Sequence, residues 1–115
     1  MHTLWFSLVF NDKIMYEDII KNLNNSEFLI ATEKMSSNKV FSFGRDHGYH
    51  GRLLSHGVVA EKSLHVKENT LTGYCFTPQD GNALLSSVAG TVQYYYKNNW
   101  KEKMNIFDRY IFKNI

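Results

Sequence analysis

The sequence predicts an α+β fold: a single small domain over residues 1–115, built on a mainly antiparallel sheet with helices packed on one face. Three observations carry that reading. The N-terminus has the two-residue period of a strand, the middle is a series of short apolar runs divided by turn residues, and a long helical period follows the sole proline. With 43% apolar and 15% aromatic residues, the 115-residue chain can bury one core and lies far from disordered compositions.

From Thr3 to Phe10, residues Leu4, Phe6, Leu8 and Phe10 share one side and Trp5 and Val9 the other, which predicts a central strand. An early short helix follows it. Asp12 is positioned to cap that helix, Met15, Ile19 and Leu23 recur on one face, and Asn24-Asn25 stops it. The runs 28–32, 40–43, 53–59, 64–67 and 71–76 read as an antiparallel meander, with Leu64 and Val66 inward and His65 facing solvent.

Thr77-Pro78-Gln79-Asp80 has a capping hydroxyl, a first-turn proline and an acid, so a helix is expected from Pro78 to about Lys97. Leu85, Val88, Ala89, Val92, Tyr95 and Tyr96 keep its period, burying at least two of the three tyrosines 94–96. Ser86, Ser87, Ala89 and Gly90 would allow close approach to the sheet. Asn98-Asn99 breaks the pattern. Beyond it, Met104, Phe107 and Ile111 fit a second C-terminal helix, while Ile106, Tyr110 and Phe112 fit a terminal strand.

Composition narrows the function classes. A net charge of +2 and a pI near 8.6 are too mild to imply nucleic-acid or membrane binding from the global field, so only a local patch could do so. The lone Cys75 cannot form an intramolecular disulfide or a four-cysteine zinc site. No segment reaches the length of a membrane span, and the apolar start lacks a cationic leader. These features predict a cytoplasmic protein. Lysine exceeds arginine ten to three and asparagine occurs eleven times, the bias of AT-rich genes such as those of phages and mobile elements.

Chemistry concentrates in residues 45–56. Arg45, His47, His50, Arg52 and His56 supply the imidazoles and guanidiniums that metal-free RNA cleavage requires as base, acid and charge stabiliser, on a glycine-rich stretch that could approach phosphate. The same composition suits an exposed polar turn. Convergence of His47, His50 and His56, with His65 or Cys75 from neighbouring strands, would make a zinc or small-ligand module, but no His-Glu-x-x-His pair supports it. The sequence therefore assigns no metal and no cofactor. Cys75 near a helix start could serve as a thiolate nucleophile, against the simpler reading of a buried small residue.

Residues 94–103 combine aromatics with lysines, suiting stacked bases and phosphates or the centre of a protein interface. Phosphate-binding loops, dinucleotide fingerprints, nucleophile elbows and calcium loops are missing from the sequence. The expectation is a small binding protein that recognises and modulates another protein, of immunity, antitoxin or anti-defence type. Its partner surface would comprise Arg45, Tyr49, Arg52, Tyr94, Trp100 and Arg109. RNA binding and strand-paired homodimerisation are further expectations.

Overall fold

Alternating side chains at the N-terminus form the first strand, β1 (His2–Val9), and the apolar period after it forms α1 (Tyr16–Asn24). The computed structural model describes residues 1–48, 53 and 57–115, the side chains at 79–83 excepted. The chain continues through β2 (Leu29–Thr32), α2 (Ser37–His47), β3 (Gly57–Ala60), β4 (His65–Lys67), β5 (Thr70–Thr77), α3 (Gln79–Tyr96) and α4 (Trp100–Met104). Short 3-10 turns occupy Glu61–Ser63 and Asn105–Tyr110. The C-terminal choice between helix and strand is thus divided: α4 ends at Met104, a 3-10 turn follows to Tyr110, and Ile111 makes an isolated β-bridge.

Among the described residues, the five strands make one mixed sheet of order β1-β5-β3-β2, with β4 also on β5. β5 runs antiparallel to β1, β3 and β4, while β2 and β3 are parallel. Two expectations are corrected here. β1 is an edge strand, because apolar residues on both its faces report two faces and not two neighbours. The meander is interrupted because residues 40–43 are helical, and α2 forms the crossover that parallel neighbours require.

Helix wins over strand at α2 because Val40, Phe43, Gly44 and His47 fall on one helical stripe. Val40 N–H closes the first turn on Ser36 O, and Gly48 N–H closes the last on Gly44 O at 2.7 Å. Phe41, whose alternation with Phe43 imitates a strand, is left exposed. Val40 packs with Leu53, Val58, Ala60 and Phe76, and Met1, Phe43, Phe112 and Ile115 close the margin of this core. Thr32 Oγ1 donates to the Ile115 main-chain oxygen at 2.7 Å and accepts from Lys34 N–H, which ties the C-terminal segment to β2.

β3 and β4 lie along the same side of β5, separated by the Glu61–Ser63 turn. Ser63 repairs the gap: its hydroxyl donates to Ala60 O at 2.6 Å and accepts from Tyr74 N–H at 2.8 Å. At the other end of β5, the expected helix start moves by one residue. Thr77 stays in the sheet opposite His2, so Pro78 occupies the N-cap position and α3 begins at Gln79.

Candidate interaction surface

The last turn of α2 carries two of the predicted site residues. The Arg45 guanidinium is held by its neighbour Asp46, with Nε at 2.8 Å from Oδ1 and the second nitrogen at 3.2 Å from Oδ2. That pairing keeps the Asp46 carboxyl below its usual range and raises Arg45 further. His47 is exposed, but its ring stacks on Phe43 at 4.6 Å and Nδ1 lies 3.2 Å from Phe43 O. A neutral His47 making this bond carries its proton on Nδ1, leaving Nε2 as an outward acceptor. His50, Arg52, His56 and Tyr49 lie outside the described residues.

The described partners proposed for zinc do not converge. His65 pairs with Thr72 and Cys75 with Val59, and the odd separation of Thr72 and Cys75 along β5 puts them on opposite faces. Among the described residues, no three His, Cys, Asp or Glu side chains are grouped to hold a metal ion. His65 faces solvent as expected. Burial pushes the Cys75 thiol up, away from the thiolate a nucleophile would need.

At the C-terminal end of α3 the structure departs from the helical-period expectation. Tyr94 and Tyr95 are 77% and 74% exposed, and Tyr96 is exposed as well. Leu85 is fully buried and Val88, Ala89 and Val92 partly so, but the last turn of α3 continues past its support. The small residues do not mediate a close approach either: Ser86 and Ser87 are exposed, and a β-carbon at Gly90 would meet nothing within 4 Å. Tyr94 and Tyr95 meet edge to face at 5.4 Å, and the Lys103 ammonium stands 5.6 Å above Tyr96.

Trp100 is only half available. It opens α4, stacks on Phe28 at 6.5 Å, and lines a cleft with Leu85, Met104 and Ile111. Lys101 bonds Glu27 at 3.2 Å and lies 5.8 Å over the Trp100 ring. Arg109 is exposed, stacks on Tyr110 at 4.6 Å and donates to its hydroxyl. Among the described residues, no hydrogen bond, ion pair or ring contact joins Arg45 or His47 to Tyr94, Trp100 or Arg109. The edge-to-face Phe43–Phe112 contact at 5.5 Å does bring the segment after Arg109 onto the helix that bears Arg45.

Sequence reasoning missed a cleft of about 540 Å³ between α1, β2 and the C-terminal residues, lined in part by Leu23, Ile30, Thr32, Glu33 and Lys113. Its walls come from segments far apart in sequence, and no local pattern encodes such a meeting. The acids there are partly engaged: Lys62 bonds Glu33 at 2.9 Å and holds its carboxyl below the usual range. Among the described residues, no helix is long and apolar enough to cross a membrane. No protein family model matches the chain, and no curated protein matches it.

Proposed function

We propose that this chain is a small binding protein that recognises another protein and modulates its activity, with the tyrosine-rich end of α3 as the recognition surface. The observation that carries the reading is the exposure of three consecutive tyrosines, two of them about three-quarters open to solvent. Tyrosine offers large, stiff, amphipathic area at low entropy cost and is enriched at interface centres. Exposed Lys97 follows the tyrosines and Lys103 stands over Tyr96, with Lys101 already paired to Glu27, so the expected partner presents an acidic group beside its apolar contact. Arg45, exposed on α2, is proposed as a separate contact, together with the sequence-predicted Tyr49 and Arg52 that lie outside the described residues. The small fold and the lysine- and asparagine-rich composition fit an immunity, antitoxin or anti-defence protein working in the cytoplasm.

The test compares wild type with Tyr94→Ala/Tyr95→Ala as baits in the native host, followed by affinity measurement on the retained partner. A loss of about 10-fold to 100-fold in affinity with an unchanged circular dichroism spectrum is expected. A partner held equally well by both baits would remove α3 from the interface.

A second reading, single-stranded RNA or DNA on the same tyrosines, is favoured by Lys103 over Tyr96, since bases stack on aromatic faces while lysines meet phosphates. Anisotropy with a labelled oligonucleotide separates the two readings, because nucleic-acid binding must weaken steeply with salt. In the metal-independent RNase alternative, His47 or His50 acts as base or acid and Arg45 or Arg52 clamps the phosphate. Labelled RNA incubated with chelator tests it, and His50→Ala retaining full activity would reject that residue.

A further inference from the structure

We propose that β1 is the site where a second copy of this chain adds its own β1, joining the two sheets into one across a twofold axis. β1 pairs with β5 on one side only; among the described residues, nothing pairs with its other edge. The strand contains no Lys, Arg, Asp, Glu, Pro or Gly, the residues by which natural edge strands discourage pairing. Its side chains are open on both faces of the sheet: Trp5 and Val9 on one are 62% and 75% exposed, and Leu4 and Leu8 on the other are about half exposed.

The ladder to β5 fixes which backbone groups are free. Phe10 donates its N–H to Asn69 O at 2.8 Å, in the same register as the rest of the pair. In an antiparallel ladder bonded and non-bonded pairs alternate, so His2, Leu4, Phe6 and Leu8 exchange bonds with β5. Thr3, Trp5, Ser7 and Val9 therefore turn their N–H and C=O groups to the open edge.

Antiparallel self-pairing about Phe6 uses all of them. Trp5 then lies opposite Ser7 of the second copy and Thr3 opposite its Val9, forming reciprocal bonded pairs. Leu4 meets Leu8 and Phe6 meets Phe6 at the closely spaced positions, extending one apolar row across the axis. A twofold centred on Trp5 would leave Val9 unpaired and set His2 against Leu8. The strand is neutral apart from His2, so two copies meet without charge repulsion, whereas a charged partner would find no complement here.

Area supports a second copy. The chain exposes 7873 Å², against about 6,500 Å² expected of a compact monomer of 13.4 kDa. The excess of roughly 1,400 Å² is spread over the whole surface, the open faces of β1 and the end of α3 included, and leaves room for the roughly 800 Å² per partner of a standard interface. Pairing at β1 does not involve the tyrosines of α3, so it stands independently of the protein-recognition reading.

The experiment combines sedimentation equilibrium at low to high micromolar concentration with residue-resolved amide exchange on the wild-type chain. The expected result is a species of twice 13.4 kDa, with slowed exchange at the Thr3, Trp5, Ser7 and Val9 amides that deepens with concentration. Ser7→Pro, which removes an outward donor without removing a bond to β5 and restricts the local backbone as edge strands tolerate, and Trp5→Lys should give monomers with native circular dichroism. A wild-type monomer at the highest concentration overturns the proposal, as does a dimer in which those four amides exchange freely. Protection that arises only on adding a foreign protein would assign the edge to that partner and also refute self-pairing. Should a variant fail to fold, the wild-type exchange pattern decides alone.

Discussion

A β-carbon built at Gly44 would lie 2.9 Å from Leu53 Cγ and 3.3 Å from the Leu53 main-chain nitrogen, whereas at Gly90 it would meet open space. The two helical glycines therefore answer to alanine with opposite signs. Gly90→Ala should stabilise by about 0.5–1 kcal/mol through helix propensity. Gly44→Ala gains the same propensity but forces α2 away from Leu53, and a net loss of about 1–3 kcal/mol is expected. Urea unfolding of the two variants measures both signs. The sequence pattern assigns a packing role to Gly90, where the structure has open space, and is silent on Gly44, because contact with Leu53 depends on a crossover that no local pattern announces.

Glu33 gives the pH response a definite direction. Its folded pKa is depressed, first by the hydrogen bond from Lys62 and then by its charge, so its contribution is present above the unfolded value of about 4.3. That contribution is lost as pH falls through the folded pKa. Asp46 behaves likewise through Arg45. The melting temperature should stay level from neutral pH to about 5 and decline below about 4, with a shallower decline in Glu33→Gln and in high salt. Thermal melts across that range check it; a decline of equal steepness in Glu33→Gln would show that the pair is not coupled to folding.

The hairpin joining β4 to β5 turns through two residues, and Glu68, the first of them, sits at φ 57°. That is the left-handed region, which costs a residue bearing a β-carbon roughly 1–2 kcal/mol and which such loops fill with glycine. Glu68→Gly should raise stability by up to about 1 kcal/mol after the added freedom of the unfolded chain is counted. A chemical denaturation midpoint that falls instead would place the strain elsewhere. The backbone oxygen of residue 68 still accepts from Ile14 N–H at 3.1 Å, so the link to the segment before α1 survives the change.

Elements with a strong local signature were legible in advance: β1 by alternation, α1 by Ile19 and its asparagine stop, α3 by its proline and its long period. α2 was not, because Val40, Phe41 and Phe43 satisfy two periods over so short a run and only the surrounding core selects the helical one. For the candidate site, residue types at the end of α3 were legible, but the outward direction of Tyr95 and Tyr96 was not. Periodicity says which side chains share a face; it cannot say where the supporting surface ends.

With a radius of gyration of 15.0 Å, where about 13 Å would suit a compact chain of this length, and extents of 40 × 36 × 19 Å, the protein is plate-like. Few side chains lie deep inside a plate this thin. Among the described residues, the largest fully buried side chains are Leu85, Val40 and Val58, each from a different element. Stability in such a body depends on a handful of contacts, so covering either open surface would strengthen it as well as serve recognition.

The placement of β5 beside the first strand has a further effect during synthesis. β1 is synthesised before β5, its bonding neighbour among the described residues, which emerges about 70 residues later, a wait of roughly 4–14 s at ordinary elongation rates. Throughout that interval an uncharged, aromatic strand travels with both its edges bare. A nascent-chain holdase is the natural guardian for it, and slow codons placed before residue 77 would lengthen the exposure and lower the yield of native protein.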